Sequence, residues 1–487
     1  MKRPPNVLFI LCDDLGWRDL GCSGSSFYET PHLDALARAG MQFSDAYASC
    51  PVCSPSRASI LTGQYPARVG ITNFIPGNAC GKLMGVPYFE QLPTHHVTVA
   101  QVLKEAGYQT FHVGKWHVGR RHLAEEFGFD VNVAGNGWGL PQHGYFSPYK
   151  NPKLAEGPDG EYMTDRLTDE AIRLIENADR GRPFFMHLCH YAPHTPIQAP
   201  EPLVEKYRRK AKRLGLDQID PLVQGESLTC LHKHKQHVVR RMIQSDPTYA
   251  AMIESIDTNV GRLLQTLARL NIEEETIVVF TSDNGGLSTQ EGSPTCNLPL
   301  AEGKGWMQDG GVRVPLIFRW PGRVAAGSTS ATPVTGTDFF PTFLEAAGLP
   351  PRPDLHVDGV SLMPALTGTG EVGREAIFWH YPHYSNQGGR PACAVRSGAY
   401  KLIEYFEDGR LELYDLPTDP AETRDLSQNL PDVTSRLHAL LVAWRDEVEA
   451  KIPAVNPHFE DILAGRMPTP DGAGVIPGDD RFVKLTQ

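Results

Sequence analysis

Apolar runs of strand length alternate along this chain with stretches of helical periodicity, the pattern of a mainly parallel α/β sheet. Val7–Cys12 is almost continuously apolar, as a strand buried on both faces requires, and it runs into Asp13-Asp14. Pro31–Ala39 sets Leu33, Leu36 and Ala37 at helical spacing. Thr98–Glu105 predicts a helix stopped by Gly107; a strand over Tyr108–Val113 follows and leads into Gly114-Lys115-Trp116-His117. Asp165–Asn177 is helical in period, and Pro183–Cys189 is strand-like, ending in His190 and then Pro193-His194. Tyr249–Leu270 predicts a long amphipathic helix. Thr276–Thr281 is a strand that ends at Ser282-Asp283-Asn284-Gly285-Gly286. Val314–Trp320 is another, preceded by Glu302-Gly303-Lys304-Gly305.

After Pro364 the pattern changes. Pro391–Arg396 and Tyr400–Phe406 read as strands, and Asp408-Gly409 is a hairpin turn into Leu411–Leu416. Asp432–Ala450 reads as a helix with Leu437, Leu440, Leu441, Trp444 and Val448 on one face. We therefore expect a large α/β domain over residues 1–365 and a smaller α+β subdomain over 366–487, whose Pro- and Gly-rich tail after Ile452 is irregular and wraps the surface.

Composition adds exclusions. The 487 residues are 41% hydrophobic and 21% charged, as in a globular protein. A net charge of −11 argues against a general nucleic-acid binder, so an anionic substrate would need a local basic site. No apolar run approaches the ~20 residues that cross a bilayer. Met1-Lys2-Arg3-Pro4-Pro5 leads straight into a strand with no secretory leader. The chain as written is thus expected in the cytoplasm, or in the periplasm or outside the cell if a leader has been removed. The nine cysteines form no regular framework and suit mostly reduced thiols.

Four strand-like runs carry acids, imidazoles or lysines beside one end, and in open α/β sheets the active site lies at the carboxyl edge. Asp13, Asp14, Asp283 and Asn284 supply oxygen donors, suited to a hard ion such as Ca2+ or Mg2+ rather than catalytic zinc. Lys115, His117, His194 and Lys304 would bring positive charge and proton transfer to an anionic ester. Two basic stretches, Lys206–Arg213 and His232–His237, are read as solvated faces. The spacing of His232, His234 and His237 matches no single helical face and argues against a second metal.

One further stretch draws these together. Cys50-Pro51-Val52-Cys53-Ser54-Pro55-Ser56-Arg57 through Gly63 reads as a short helix with Ser54 as N-cap, Pro55 in the first position and Gly63 past the end. Cys53 would then sit at the helix mouth, with its thiol pKa lowered by the dipole and by Arg57. The alternative is a buried, inert cysteine. Cys53-x-Pro55-Ser56-Arg57 followed by Ala58-Ser59-Ile60-Leu61-Thr62-Gly63 resembles the signature of the type I sulfatases. Gly310-Gly311-Val312-Arg313-Val314-Pro315 is also similar to that family, with Asp309 where many relatives have Glu.

The resemblance, from about Asn6 to Asp425, implies an alkaline-phosphatase-like fold: a central mixed, mostly parallel sheet flanked by helices. It implies that Cys53 is oxidised to formylglycine by a formylglycine-generating maturation enzyme, and that its hydrate is the nucleophile. Asp13, Asp14, Asp283 and Asn284 would bind one divalent ion, usually Ca2+, with residue 53 completing the site. Arg57 and Lys115 would hold and activate the hydrate, His117 would assist breakdown of the covalent sulfate, and His194 and Lys304 would grip the sulfate and favour protonation of the leaving oxygen. The substrate implied is a sulfated glycan, galactose or N-acetylgalactosamine being favoured. Candidates to line a sugar pocket are Asn73, Trp138, His380 and His383, in three loop-like stretches. Two alternatives stand beside this reading: a phosphonate monoester or phosphodiester hydrolase of the same fold, and a non-catalytic glycan-binding protein with Cys53 unmodified.

Overall fold

The eight-stranded main sheet of the computed structural model, which describes residues 3–77 and 79–468, is built around Asn6–Cys12. Across the sheet the order is Ser328–Ser330, Met41–Phe43, Leu316–Arg319, Thr276–Ser282, Asn6–Cys12, Phe184–Cys189, Gln109–Gly114 and Val131–Val133. Leu316–Arg319 alone runs against the rest. Every residue of the central strand is buried, and alternation divides it between two cores. Leu8, Ile10 and Cys12 meet the helices Pro31–Arg38, Met163–Glu176, Glu201–Arg213 and Pro247–Arg269. Val7, Phe9 and Leu11 meet Cys53–Thr62, Val99–Glu105 and Phe339–Ala346.

Local chemistry sets the element ends. Thr98 and Gln101 form a reciprocal capping box at the start of Val99–Glu105, and Asp246 accepts from the Thr248 and Tyr249 amides before Pro247–Arg269. On Glu201–Arg213, Val204, Tyr207 and Ala211 are buried, and the basic residues pair outward. Lys206 meets Glu29 and Glu254, each at 2.6 Å, and Lys210 meets Glu29 at 2.8 Å.

A second, antiparallel sheet follows the order Ile377–Tyr381, Ala392–Ser397, Tyr400–Tyr405, Leu411–Asp415. Its hairpin turns at Gly409, whose φ of +69° suits glycine. Trp379, Ala394 and Ile403 pack one face onto Tyr47, Val52 and Val312, and Val395, Leu402 and Leu413 pack the other onto Leu437, Leu441 and Trp444 of Pro431–Glu447. Trp444 stacks on Phe378 at 4.8 Å between centroids. A buried ion cluster joins the two sheets: Lys401 Nζ lies 2.8 Å from Asp309 and 3.0 Å from Glu422, all three side chains fully buried.

Ile377–Tyr381 is thus a strand where a pocket loop over His380–His383 was expected. Residues 454–456 bond back to Lys82 and Met84 and bridge Val455 to Leu83, as a tail that wraps would, but Phe459–Leu463 is helical. The rest of the expected irregular tail, 469–487, lies outside the described residues. All nine cysteines are free thiols. No described helix is long and apolar enough to cross a membrane.

Candidate active site

Parallel strands deliver their following residues to one edge, and the reversed strand Leu316–Arg319 lets a preceding loop reach it too. Asp13 and Asp14 follow Asn6–Cys12, Lys115 and His117 follow Gln109–Gly114, His194 follows Phe184–Cys189, Asp283 and Asn284 follow Thr276–Ser282, and Lys304 comes from the loop before Leu316–Arg319. Gly114 lets this happen: its φ is +102°, and a Cβ there would lie 1.9 Å from the Cys189 carbonyl oxygen. Asp14 and His117 hold left-handed φ values of 66° and 54°, uncommon for residues other than glycine.

The charges interlock. Lys115 Nζ donates to Asp13 Oδ2 at 2.5 Å, and Lys304 Nζ donates to Asp14 Oδ2 at 2.8 Å. Arg57 grips Asp283 Oδ2 through Nε and Nη2, both at 2.8 Å, and its Nη1 donates to the Lys115 carbonyl at 2.9 Å. Three buried carboxylates thereby face three buried cations. Asn284 Nδ2 donates to Asp14 Oδ1 at 2.8 Å. Two oxygens in this dry cluster, Asp13 Oδ1 and Asn284 Oδ1, have no hydrogen-bond partner. Donor atoms of Asp13, Cys53 and Asp283 lie within 4.8 Å of one another, as do those of Asp13, Asp14 and His194. Unsatisfied hard oxygens converging with paired carboxylates fit a divalent cation.

Cys53 is the first residue of Cys53–Thr62, and Val52 stands at the cap position. The expected capping by Ser54 does not occur, because the helix starts a residue earlier. Ser54 Oγ instead accepts from the Ile75 amide at 3.1 Å. The Ile75 carbonyl in turn accepts from His117 Nε2 at 2.6 Å, and His117 Nδ1 lies 3.3 Å from Cys53 Sγ. This ring of contacts commits the His117 proton to Nε2 and turns an Nδ1 lone pair toward residue 53. Ser56 Oγ clamps Cys50 through both its amide and carbonyl. Neither serine's positioning role was evident in the sequence; only the run of small polar residues hinted at it.

Two electrostatic expectations are corrected by burial. The Cys53 thiol is pushed up, since desolvation outweighs Lys115 and Lys304. His117 and His194 are held neutral: burial, aided by Lys115, keeps His117 well below its ordinary value, and burial with Lys304 takes His194 to about 3. Asp14 is held low: burial raises it, but the charges of Lys304 and Lys115 and the Lys304 hydrogen bond outweigh that rise.

Above Cys53 opens a cavity of about 370 Å³, lined by Phe74, Ile75, Pro76, His117, Arg120, Gly137–Leu140, His194, Glu291, Lys304, Asn386 and other residues. Trp138 therefore faces the site as expected. The other three candidate sugar contacts do not. Asn73 is fully buried, holding its own loop through Gly77, Phe74 and the Tyr381 hydroxyl. His380 Nε2 bonds the Lys451 carbonyl at 3.0 Å, and His383 Nε2 bonds Thr72 Oγ1 at 2.9 Å between Tyr88 and Tyr381. The His232, His234 and His237 rings face three different partners: Asn386, the Leu231 carbonyl and the Gly225 carbonyl.

The sulfatase family model matches residues 5–349, and the model for the N-sulphoglucosamine sulphohydrolase C-terminal region matches residues 303–447. A sulfatase of Formosa agariphila is 31% identical over 91% of this chain and 89% of its own length. Human N-acetylgalactosamine-6-sulfatase is 33% identical, over 78% of this chain and 68% of its own. The structure of Ps i-CgsB in complex with k-i-k-neocarrahexaose has a TM-score of 0.74 and 28% identity, covering 97% of this chain and all of that one. The phosphonate monoester hydrolase of Agrobacterium radiobacter shares the fold, with a TM-score of 0.64 at 23% identity over 91% of this chain and 96% of its own.

Proposed function

This chain belongs to the sulfatase family, and we propose that it releases sulfate from a sulfated sugar with residue 53 as nucleophile. One observation carries the reading: Cys53 lies on the floor of a sugar-sized cavity, above a charge-balanced buried cluster. Oxidised to formylglycine, residue 53 would present a geminal diol, with one hydroxyl to attack sulfur and a second to expel the sulfate. Asp13, Asp14, Asp283 and Asn284 would hold a divalent cation, Ca2+ or Mg2+, which supplies positive charge to the sulfate oxygens. Because the three carboxylates are already matched by Arg57, Lys115 and Lys304, that ion leaves the site net positive for an anionic ester.

The chain's own groups divide the remaining work. His117 Nδ1 is placed to take a proton from residue 53, since Nε2–H is held by the Ile75 carbonyl. Arg57 and Lys115 fix the carboxylates beneath it. Lys304 keeps its charge through Asp14 and faces the cavity, where it can stabilise or protonate the leaving oxygen as the sulfur–oxygen bond to the sugar breaks. His194, with Nδ1 directed at the Thr195 carbonyl at 2.8 Å, would gain a proton only when an anion enters beside it. The similarity to N-acetylgalactosamine-6-sulfatases, and to a structure holding a neocarrahexaose, favours galactose- or N-acetylgalactosamine-based substrates.

The test is sulfate release from 4- and 6-sulfated galactose and N-acetylgalactosamine, carrageenan oligosaccharides, 4-nitrophenyl sulfate and a phosphonate monoester, using protein co-produced with a formylglycine-generating enzyme. Sulfate release that falls at least about 1000-fold in Cys53→Ala is expected. Cleavage of only the phosphonate would overturn the sulfate-ester reading. An unmodified Cys53 in the peptide mass, with full turnover, would overturn the aldehyde.

A further inference from the structure

One cation of the cavity has no carboxylate partner among the described residues. Lys304, Lys115 and Arg57 are each tied to a carboxylate, and His117 and His194 are neutral. Arg120 is different. It lines the same cavity as Cys53, is exposed, and makes no ion pair or side-chain hydrogen bond among the described residues.

Its position is built by the opposite wall. A Cβ at Gly137 would meet Arg120 Cγ at 2.5 Å, and a Cβ at Gly139 would meet the His117 ring at 2.6 Å. The two glycines thus seat the Arg120 stem and the His117 ring on one loop, with half-buried Trp138 between them. Arg120 therefore shares one cavity and one supporting loop with the group beside residue 53, next to an aromatic face suited to a pyranose ring. The free carboxylate of the cavity, Glu291, is near Lys304, whose charge it supports.

We propose that Arg120 is a specificity-determining residue that binds a second oxyanion of the substrate, a further sulfate or a uronate carboxylate, carried next to the sulfate that is cleaved. This rests on the sulfatase reading above. The planar guanidinium fork suits either oxyanion bidentately, and the solvent-facing site lets the group enter without desolvating a buried charge.

Steady-state kinetics on the matured enzyme test it. The substrates are 4-nitrophenyl sulfate, N-acetylgalactosamine 6-sulfate, its 4,6-disulfate, and a uronate-containing disaccharide bearing one sulfate. The wild type should favour one of the two-anion substrates over the monosulfate. In Arg120→Gln, kcat/KM for that substrate should fall about tenfold more than for the monosulfate, chiefly through KM, and Arg120→Lys should restore part of the difference. Which two-anion substrate is affected distinguishes sulfate from carboxylate. An equal fall on all four substrates, or a wild type without preference, overturns the proposal while leaving the sulfatase reading intact. Failure to release sulfate from any of them, 4-nitrophenyl sulfate included, overturns both.

Discussion

Replacing Lys401 with Met should loosen the join between the two sheets, and by an amount that depends on pH. Lys401 is the single cation between Asp309 and Glu422, at 2.8 and 3.0 Å, with no exposure on any of the three side chains. Burial lifts Glu422, and although Lys401 pulls it down, Asp309 adds to the rise and its value stands at about 7. Asp309 is held low because Lys401 and Arg313 outweigh its burial. A carboxyl raised in the folded state contributes its full stability below its unfolded value near 4.3 and loses it as pH climbs through the folded value, here about 7. Met keeps the volume but removes the positive charge that Glu422 and Asp309 share, so both carboxyls should rise further. At pH 8 buried Glu422 then lacks its cation while Asp309 keeps only Arg313, 3.5 Å away, and the variant should lose about 3–5 kcal/mol. At pH 5 the acids can hold protons, and the loss should shrink to about 1–3 kcal/mol, the cost of neutral groups short of a partner. Urea unfolding of both proteins at the two pH values, read as midpoint shifts at unchanged slope, measures this. Equal losses at both pH values, or less than about 1 kcal/mol at pH 8, would refute the reasoning.

Two further outcomes follow from burial. His383, held near 3 by burial with His380 adding, stays neutral while the unfolded chain protonates near 6.5. Its contribution is therefore complete above pH 6.5 and declines on acidification by about 1.4 kcal/mol per pH unit, and His383→Gln should flatten the stability profile between pH 6.5 and 5; parallel profiles would count against it. Gly114→Ala drives a Cβ toward the Cys189 carbonyl at 1.9 Å from a φ of +102°, and should cost about 3 kcal/mol and displace Lys115, seen as a lower melting temperature and reduced sulfate release.

Much of this arrangement was legible in residue order. Strands buried on both faces read as unbroken apolar runs, so Val7–Cys12 and Thr276–Thr281 stood out, and the acids after them fell at the edge where the fold collects them. Three-residue strands such as Met41–Phe43 and Ser328–Ser330 are too short for any period to register. The hairpin strand Leu222–Ser227 is almost wholly exposed and lacks an alternation to read. Ile377–Tyr381 was missed because its aromatic and imidazole residues resemble a binding loop, whereas Trp379 and His380 are buried on opposite sides of a sheet. The thiol's shift was misjudged because a helix mouth argues for anions only until burial is weighed, and burial is invisible in a spacing. Arg120 belongs to no motif; its interest arises from glycines 17 and more residues away, which only the fold brings beside it.

The central strand also sets a problem of timing. Asn6–Cys12 is made well before its two neighbours, which lie far ahead in the chain: Asn6 bonds Phe184 across 178 residues and Thr276 across 270. At roughly 5–20 residues per second, the ribosome needs on the order of 9–36 s to supply even the first of these partners. Throughout that interval the apolar run Val7–Cys12 lacks both of its strand partners, the kind of sequence that pairs readily with strangers. The strand that organises the finished enzyme is thus a hazard during synthesis, and yield should respond to holdase chaperones that cover it until its partners are made.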